Sequence, residues 1–419
     1  MAARDIFSAL EVADYRWLWA GGLASQFAMN MQIVARGWLV YSLTSSALAL
    51  AWVTLSFMLP QALFALWGGV VADRLSKRRI IVLAQSCNAL LTGVMAVVIL
   101  SGHVEIWHFL VTGFANGTIL ALSMPARQAY IPELLSERLI ITGMALNTTS
   151  WNLARILGPA LAGLVIAVLA DGERSAFGTG VVYCAIAALY GIAALTTLGV
   201  RAPGLPRRRI TGSPLQDALE GLRYVRAHPP VLGLILLSVV PFLFGMPLNT
   251  LLPAFNEQVL NGGPDDLGLL ISCMGGGAIL GSLLLAALGN LRRRAQWVIA
   301  SALAWGVLTA CFGAASHVLL ASAVVALIGL VSAWNMALNR GLLQTQVTPA
   351  MRGRIMSIDM MSHGLMPLGV LPISLIADRF GLAAALESAG VVFVVAILLL
   401  ASGTRAVRGL RERHEPALP

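Results

Sequence analysis

Twelve apolar stretches of about 20 residues, separated by short charged segments, fill most of this 419-residue chain. A helix needs about 20 apolar residues to cross a bilayer core of about 30 Å. Backbone groups in lipid must bond within their own segment, so each stretch is predicted to be an α-helix. The fold class is therefore an all-α polytopic membrane protein with twelve transmembrane helices. The predicted spans are 17–43, 47–71, 80–101, 106–125, 143–169, 177–200, 231–255, 267–288, 295–315, 318–343, 355–377 and 382–402.

Charged residues are few, and the basic ones lie mainly on one predicted side of the membrane. Only 11% of residues are charged, the mean hydropathy is +0.82 and the formal net charge is +9. The 28 lysines and arginines lie in the tails and in alternate loops, except Arg36, Arg155, Arg174 and Arg379. Because basic residues are retained in cytoplasmic loops, both termini are predicted to be cytoplasmic. Basic loops also complement anionic lipid, so no nucleic-acid partner is expected.

The longest polar interruption, 201–230, divides the spans six and six. It predicts an N-terminal bundle (1–200), a cytoplasmic linker with an interfacial helix (201–230), and a C-terminal bundle with a basic tail (231–419). The basic runs Lys77–Arg79 and Arg292–Arg294 are 215 residues apart, each after the second span of its half. Such spacing indicates a duplicated unit, and parallel repeats place the substrate site between the halves.

The loop between spans 2 and 3 carries the most specific pattern, Gly-x-x-x-Asp-Arg followed by a basic run. With the six-plus-six arrangement, it resembles the loop 2–3 signature of the major facilitator superfamily, although Ser76 stands where that signature usually has glycine. The resemblance implies a gate, and we expect Asp73 to accept hydrogen bonds there from the N-terminus of a neighbouring helix, that of span 11. The gating residues are Gly69, Asp73, Arg74, Lys77, Arg78 and Arg79.

Span 5 carries a second pattern, Arg155-Ile-Leu-Gly158-Pro159 with Gly163 beyond it. It resembles the exporter motif of the same superfamily, in which Gly-Pro bends the fifth helix. Small residues every four positions let another helix approach closely, and proline removes one internal hydrogen bond. The alternative is an ordinary kink in a membrane helix.

Further segments resemble the subgroup of bacterial siderophore and multidrug exporters. They are 36–41, 125–132, 152–163, 220–226 and 352–357. The resemblance implies proton-driven export of amphipathic small molecules across the bacterial inner membrane. A monomer is expected, with the substrate, protons and the lipid bilayer as partners.

Span 1 has a polar face. Gln26, Asn30, Gln32 and Arg36 fall within an arc of about 160° on a helical projection, which predicts that this face lines the central cavity. Arg36 and Arg155 are the strongest site candidates because a charge within the membrane is costly. Each could instead pair with a helix carbonyl end or with an acid such as Asp359. Four amides could line the cavity or hold helices together: Asn147, Asn152, Asn335 and Asn339.

Acids within the spans are few. The candidates for proton coupling are Asp359, His363 and Glu387, since coupling needs a group that can change its protonation state between wet and dry surroundings. Several exporters of the superfamily place an acid in span 1, where this chain has Ala28-Met29-Asn30-Met31.

Other function classes find little support. The chain contains no Gly-x-x-x-x-Gly-Lys-Ser/Thr nucleotide motif, and its four cysteines fall within spans without metal-ligand spacing. We therefore expect no catalytic residues, metal or cofactor. One alternative is an importer of a small solute on the same fold. A lipid translocator or a membrane-embedded enzyme is an alternative with less support.

Overall fold

The computed structural model describes residues 8–169, 176–204, 214–288, 293–348, 351, 355–356, 358–359 and 365–403. All regular structure in these ranges is helical. A 3-10 turn at Ser8–Glu11 leads into α1 (Ala13–Thr44), and a π-helix at Pro241–Gly245 joins α8 to α9. The other helices are α2 (Ala47–Arg74), α3 (Lys77–Leu100), α4 (Ile106–Leu134), α5 (Glu137–Val168), α6 (Ala176–Leu198), α7 (Pro214–Ala227), α8 (Pro229–Val240), α9 (Pro247–Gln258), α10 (Pro264–Leu288), α11 (Arg294–Gly313), α12 (Val318–Gln346), α13 (Met366–Phe380) and α14 (Leu382–Gly403).

Ten helical segments in the described residues are long and apolar enough to cross a membrane. They correspond to all predicted spans except the first and the eleventh. Span 1 is present as the 32-residue α1, whose hydropathy is lowered by its polar face. Span 11 is described in part: the 15-residue α13 covers its end from Met366 and continues beyond 377 to Phe380. The prediction of an all-helical membrane protein is confirmed, and twelve spans are consistent with these elements.

Several helices extend beyond the apolar stretches that predicted them. Span 4 was predicted to end at 125, but α4 continues to Leu134 and leaves only a short connection to α5. Arg127 and Arg138, predicted to lie in a loop, are therefore helical. The reason is that hydropathy marks where a segment leaves lipid, whereas a helix ends where its backbone hydrogen bonds end.

Span 7 is interrupted by an unpredicted π-helix. Pro241 and Pro247 flank it, and the N–H of Met246 donates to the carbonyl oxygen of Pro241 at 2.9 Å. Proline lacks an N–H and cannot continue the regular ladder, so the wider turn re-satisfies part of the backbone. Gly369 of α13 lies against the carbonyl of Leu243, where any larger residue would overlap the backbone.

The chain divides into two compact units. Unit 1 contains Met1–Ser45, Trp52–Ile210 and Gly262–Ser272, and unit 2 contains Ser46–Ala51, Thr211–Asn261 and Cys273–Pro419. In unit 1, Gly117 of α4 packs against the backbone of Phe57 in α2. In unit 2, Gly329 of α12 packs against the backbone of Met274 in α10. The second and fourth spans of each half thus approach each other through a glycine at a similar place in the sequence repeat.

Candidate functional site

The polar face of α1 is bonded within unit 1. The amide of Gln26 donates to Oδ1 of Asn147 in α5 at 3.3 Å, and the amide of Asn30 donates to the Gln26 carbonyl at 2.8 Å. Gln26 and Asn30 are buried, whereas Asn147 is half-buried. Two of the predicted cavity residues on α1 thus contribute to the α1–α5 packing.

Arg36 lies among aromatic residues. Its guanidinium carbon is 5.3 Å from the ring centre of Phe57 in α2, a cation–π distance. The hydroxyl of Tyr183 in α6 lies near the Gln32 amide, and Arg36 interacts electrostatically with both Tyr183 and Tyr190. Gln32 and Arg36 are half-buried, while both tyrosines are buried. The structure thus combines one cation with phenol hydroxyls and an amide.

A second arginine, Arg127, lies near Tyr190, although the sequence analysis did not predict it as a site residue. Arg127 of α4 donates to the hydroxyl of Ser25 in α1 at 2.8 Å. Tyr190 lies within electrostatic range of Arg127 as well as of Arg36. Among the described residues, no carboxylate lies within salt-bridge distance of Arg36, Arg127 or Arg155. Tyr183 and Tyr190 are seven residues apart and share a helix face, a spacing that could have revealed them.

The span 5 motif lies where α5 meets two other helices of unit 1. Gly158 packs against Asn30 of α1, and Gly163 packs against Pro264 and Gly268 at the start of α10. A Cβ atom at Gly163 would overlap the Pro264 carbonyl oxygen. The hydroxyl of Ser272 donates to the carbonyl of Ile156 at 2.6 Å, one turn before Pro159. Arg155 is half-buried beside this contact.

The loop 2–3 residues bind the chain that follows α6. The Lys77 ammonium, 4% exposed, lies 3.0 Å from the carboxylate of Glu133 in α4. The Arg78 guanidinium donates to the Leu198 carbonyl. Ser76, where the superfamily signature usually has glycine, caps α3 and donates to the Pro203 carbonyl. Lys77 and Arg78 of the basic run thus bind partners within unit 1.

The remaining gating residues are less fully defined. Gly69 lies in the last turns of α2, whereas Arg74 and Arg79 are exposed. The side chain of Asp73 lies outside the described residues, so the expected contact with span 11 stays a prediction.

Unit 2 holds a buried acid. Asp359 is fully buried, and the hydroxyl of Ser238 in α8 donates to its Oδ1 at 2.7 Å. Nε of Arg340 in α12 lies 3.5 Å from Oδ2, although the Arg340 side chain is 46% exposed. A cavity of about 10 Å³, the volume that one water molecule needs, adjoins Ser238, Asn339 and Arg340. The structure therefore gives Asp359 a partner that the sequence did not suggest.

The two amides of α12 are both buried. Asn335 donates to the Val298 carbonyl at 2.9 Å and to the Ser301 hydroxyl at 3.3 Å. Asn339 donates to the Leu234 carbonyl at 3.1 Å, and its own Oδ1 has no donor among the described residues. Asn335 thus connects α12 to α11, and Asn339 connects α12 to α8. Both amides border the cavity that Ser238 and Arg340 also line.

The other predicted site residues are dispersed. Asn152 is half-buried on α5, and Glu387 is exposed on α14, where it contacts Gly313. His363 lies outside the described residues. In the described part of the chain, no three His, Cys, Asp or Glu side chains are grouped as a metal ion would require.

Similarity to known proteins agrees with this architecture. A family model described as transmembrane secretion effector matches residues 5–412. The staphyloferrin A transporter of Staphylococcus aureus is 26% identical over 369 residues, which span 87% of this chain and 88% of that protein. Macrolide efflux protein A of Streptococcus pyogenes is also 26% identical, with coverages of 87% and 89%. The enterobactin exporter of Escherichia coli is 26% identical over 289 residues, or 69% of this chain and 67% of the exporter.

Solved transporters share the fold at much lower identity. The nucleoside transporter NupG superposes with a TM-score of 0.74 at 14% identity, covering 96% of this chain and all of that structure. A bacterial homologue of the lysosomal transporter Spinster, in an inward-facing conformation, gives a TM-score of 0.70 at 13% identity over 100% of both chains. The fold is therefore that of a transporter, and the match over nearly the whole length shows that this chain belongs to the transmembrane secretion effector family of the major facilitator superfamily.

Proposed function

We propose that this protein exports an amphipathic small molecule (a drug, a siderophore or a metabolite) across the bacterial inner membrane by alternating access. The observation that carries the proposal is the family match over residues 5–412. It is supported by relatives named for efflux or export of chemically different compounds. The Gly158–Pro159 motif of α5, with its close contacts on both sides, agrees with an exporter.

The orientation belongs to the same proposal. The charge bias of the loops supports cytoplasmic termini and two six-helix bundles joined by a cytoplasmic linker. Reporter fusions after Ser101 and Asp266 should then report outside, and fusions after Arg79 and Arg208 should report inside. Reversal at any two of these positions would contradict the topology.

We assign ligand binding to the cationic and aromatic residues of unit 1. Arg36 offers a planar guanidinium that suits carboxylates and catecholate-like oxygens, and Tyr183 and Gln32 add hydroxyl and amide groups beside it. Arg127 and Arg155 add positive charge without a described carboxylate at salt-bridge distance. This arrangement favours anionic or oxygen-rich substrates over lipophilic cations.

Proton antiport is the proposed driving reaction, and Asp359 is the proposed coupling acid. A buried ion pair that loses one partner leaves a costly uncompensated charge. Movement of the half-exposed Arg340 away from Asp359 would therefore favour uptake of a proton by the carboxylate. The cavity of one-water size adjoins Ser238 and Arg340, the two residues that contact Asp359.

Accumulation assays with dyes, antibiotics and siderophores, in cells with and without the protein, test the export proposal. Lower accumulation of at least one compound is expected, with active uptake of the same compound into everted vesicles under an imposed proton gradient. Higher cellular accumulation would indicate uptake instead. Gradient-independent conversion of a compound to a product would indicate an enzyme.

A further inference from the structure

A carboxylate near the end of α13 binds the first turn of α2. Asp378 lies two residues before the end of α13, and the α2 groups that donate to it come about 330 residues earlier in the chain. The N–H of Ala47 donates to Oδ1 at 2.9 Å, and the N–H of Leu48 donates to Oδ2 at 3.3 Å. The Ser46 hydroxyl also donates to Oδ2, at 3.1 Å.

Helix starts need such acceptors because their first N–H groups have no partner within the helix. A carboxylate there forms charge-assisted hydrogen bonds and complements the helix dipole. The cap is usually local, as for α3, capped by Ser76, and for α4, capped by Glu105. The start of α2 has a local cap as well, because the Ser46 hydroxyl accepts from the N–H of Ala49 at 3.3 Å. It differs from α3 and α4 in that two further N–H groups bond to a residue of α13.

The start of α2 is also unusual because it does not belong to the same compact unit as the rest of the helix. Ser46–Ala51 belongs to unit 2, whereas the rest of α2 belongs to unit 1. The start of α10 shows the converse arrangement, because Gly262–Ser272 belongs to unit 1 and the rest of α10 to unit 2. By the predicted topology, α2 and α10 both begin on the outer side of the membrane.

We propose that Asp378 controls the outer gate: its contact with the first turn of α2, here named the Asp378 contact, forms when the outer side closes and breaks when it opens. The proposal rests on the alternating-access function proposed above. Asp378 is exposed and Ser46 is half-buried, so water can replace the hydrogen bonds when the contact breaks. A modest, replaceable contact suits a gate that must open in every cycle.

The sequence contains a reciprocal arrangement. Ala-Asp-Arg ends α2 at 72–74 and recurs near the end of α13 at 377–379. On the cytoplasmic side, we expect Asp73 to bind the start of span 11. Asp378 binds the start of span 2 at the opposite end of the same two spans. The same chemistry thus serves both ends, and the two contacts would alternate during transport.

Thiol labelling from outside tests this proposal without any substrate. Ala49→Cys is introduced after the four native cysteines are replaced by serine, and whole cells are treated with a membrane-impermeant maleimide. Ala49 is 7% exposed, so its labelling should require release of the first turn of α2. Asp378→Asn should raise the labelling rate about fivefold, the size of a modest coupling between two conformational states.

Glu105→Gln is the matched control, because Glu105 is also a carboxylate at an outer helix start but caps its own helix. It should leave the labelling rate unchanged. Equal rates in Asp378→Asn and Glu105→Gln would overturn the proposal. If Asp378→Asn does not reach the membrane, Ser46→Asp keeps an acceptor for the N–H of Ala49 but places a second carboxylate beside Asp378. It should raise the rate about twofold, and no rise in that variant would equally overturn the proposal.

Transport measurements distinguish failure of the Asp378 gate proposal from failure of the proposed export function. In a variant that still exports, opening of the outer gate should change the apparent KM and the maximal rate unequally, and Asp378→Glu, which keeps the charge, should restore part of the wild-type balance. Export that proceeds with labelling independent of Asp378 would refute the gate alone. Labelling that depends on Asp378 without export of any compound would refute the proposed function alone.

Discussion

The arginines of the membrane-spanning helices have different kinds of partner in the two units. In unit 1, Arg127 bonds to a serine hydroxyl and Arg36 lies over a phenylalanine ring. In unit 2, Arg340 lies 3.5 Å from the fully buried carboxylate of Asp359. Apart from the Lys77–Glu133 pair at the loop 2–3 end, unit 1 therefore contains arginines whose described partners are neutral. Unit 2 contains a cation and an anion that compensate each other.

This difference suggests a division of labour. A guanidinium with neutral neighbours can still bind an anion from solution, because little of its charge is already neutralised. A compensated pair changes its charge only when the pair separates or a proton binds. We infer that unit 1 contributes mainly to ligand recognition and unit 2 mainly to coupling.

The largest expected effect comes from Asp359→Asn, which removes the acid of unit 2. Export driven by a proton gradient should fall at least about 100-fold, since an amide cannot carry the proton. Exchange of substrate across the membrane without a gradient should persist. Flux in everted vesicles, with and without an imposed pH difference, measures both. Glu387→Gln tests the exposed acid of α14, and loss of coupling in that variant alone would transfer the role to Glu387.

The second prediction concerns unit 1. Arg36→Lys keeps the charge but loses the planar fork and weakens the contact with Phe57, so the apparent KM for carboxylate substrates should rise about tenfold, equivalent to about 1.4 kcal/mol. Cationic substrates should be affected less. Arg16→Lys is the matched control, because Arg16 is exposed near the start of the same helix. Unchanged export of every substrate by the Arg36→Ala, Arg155→Ala double variant would remove both arginines from the site.

The overall fold could be predicted because lipid imposes one rule on every span, and a run of about 20 apolar residues is visible without knowing its neighbours. Partners of individual side chains follow no such rule. Arg340 and Asp359 come from different spans, and nothing in their local sequence states that they meet. Tyr183 and Tyr190 were missed although their seven-residue spacing puts them on one helix face. The spacing was not enough, because a tyrosine in an apolar span has the same local pattern whether it faces lipid or an arginine.

Backbone acceptors also escape sequence analysis. Arg78 was predicted to serve a gate, yet its observed partner is the carbonyl of Leu198. Ser76, which departs from the superfamily signature, donates to the carbonyl of Pro203. Every residue offers the same carbonyl group, so composition cannot identify which one will be used. The helix ends near Arg127 were misplaced because hydropathy reports contact with lipid and not backbone geometry.

The third prediction tests the cytoplasmic gate. Asp73→Asn should slow export about fivefold, because loss of a charge–dipole contact of about 1 kcal/mol shifts the balance between access states. Expression and membrane insertion should remain near wild-type levels, as judged by quantitative immunoblotting of membranes. Wild-type export rates in this variant would reduce Asp73 to an ordinary surface charge.

The smallest expected effect on transport comes from an amide of unit 2. Asn335 spends both donor hydrogens on α11, through Val298 and Ser301, and is 2% exposed, so its role should be to hold helices together. Asn335→Ala should lower the free energy of unfolding by about 1 kcal/mol and leave the export rate within about twofold of wild type, because truncation removes an interhelical bond and no ligand contact. Thermal unfolding in detergent and export by the surviving protein measure the two effects separately.

Asn152→Ala in unit 1 provides the comparison, since Asn152 is half-buried and makes no hydrogen bond through its side chain among the described residues. If unit 1 recognises the ligand, Asn152→Ala should impair export without destabilising the protein. The reverse outcome, in which Asn335→Ala loses export at full stability while Asn152→Ala transports normally, would place ligand recognition in unit 2 and overturn the division of labour.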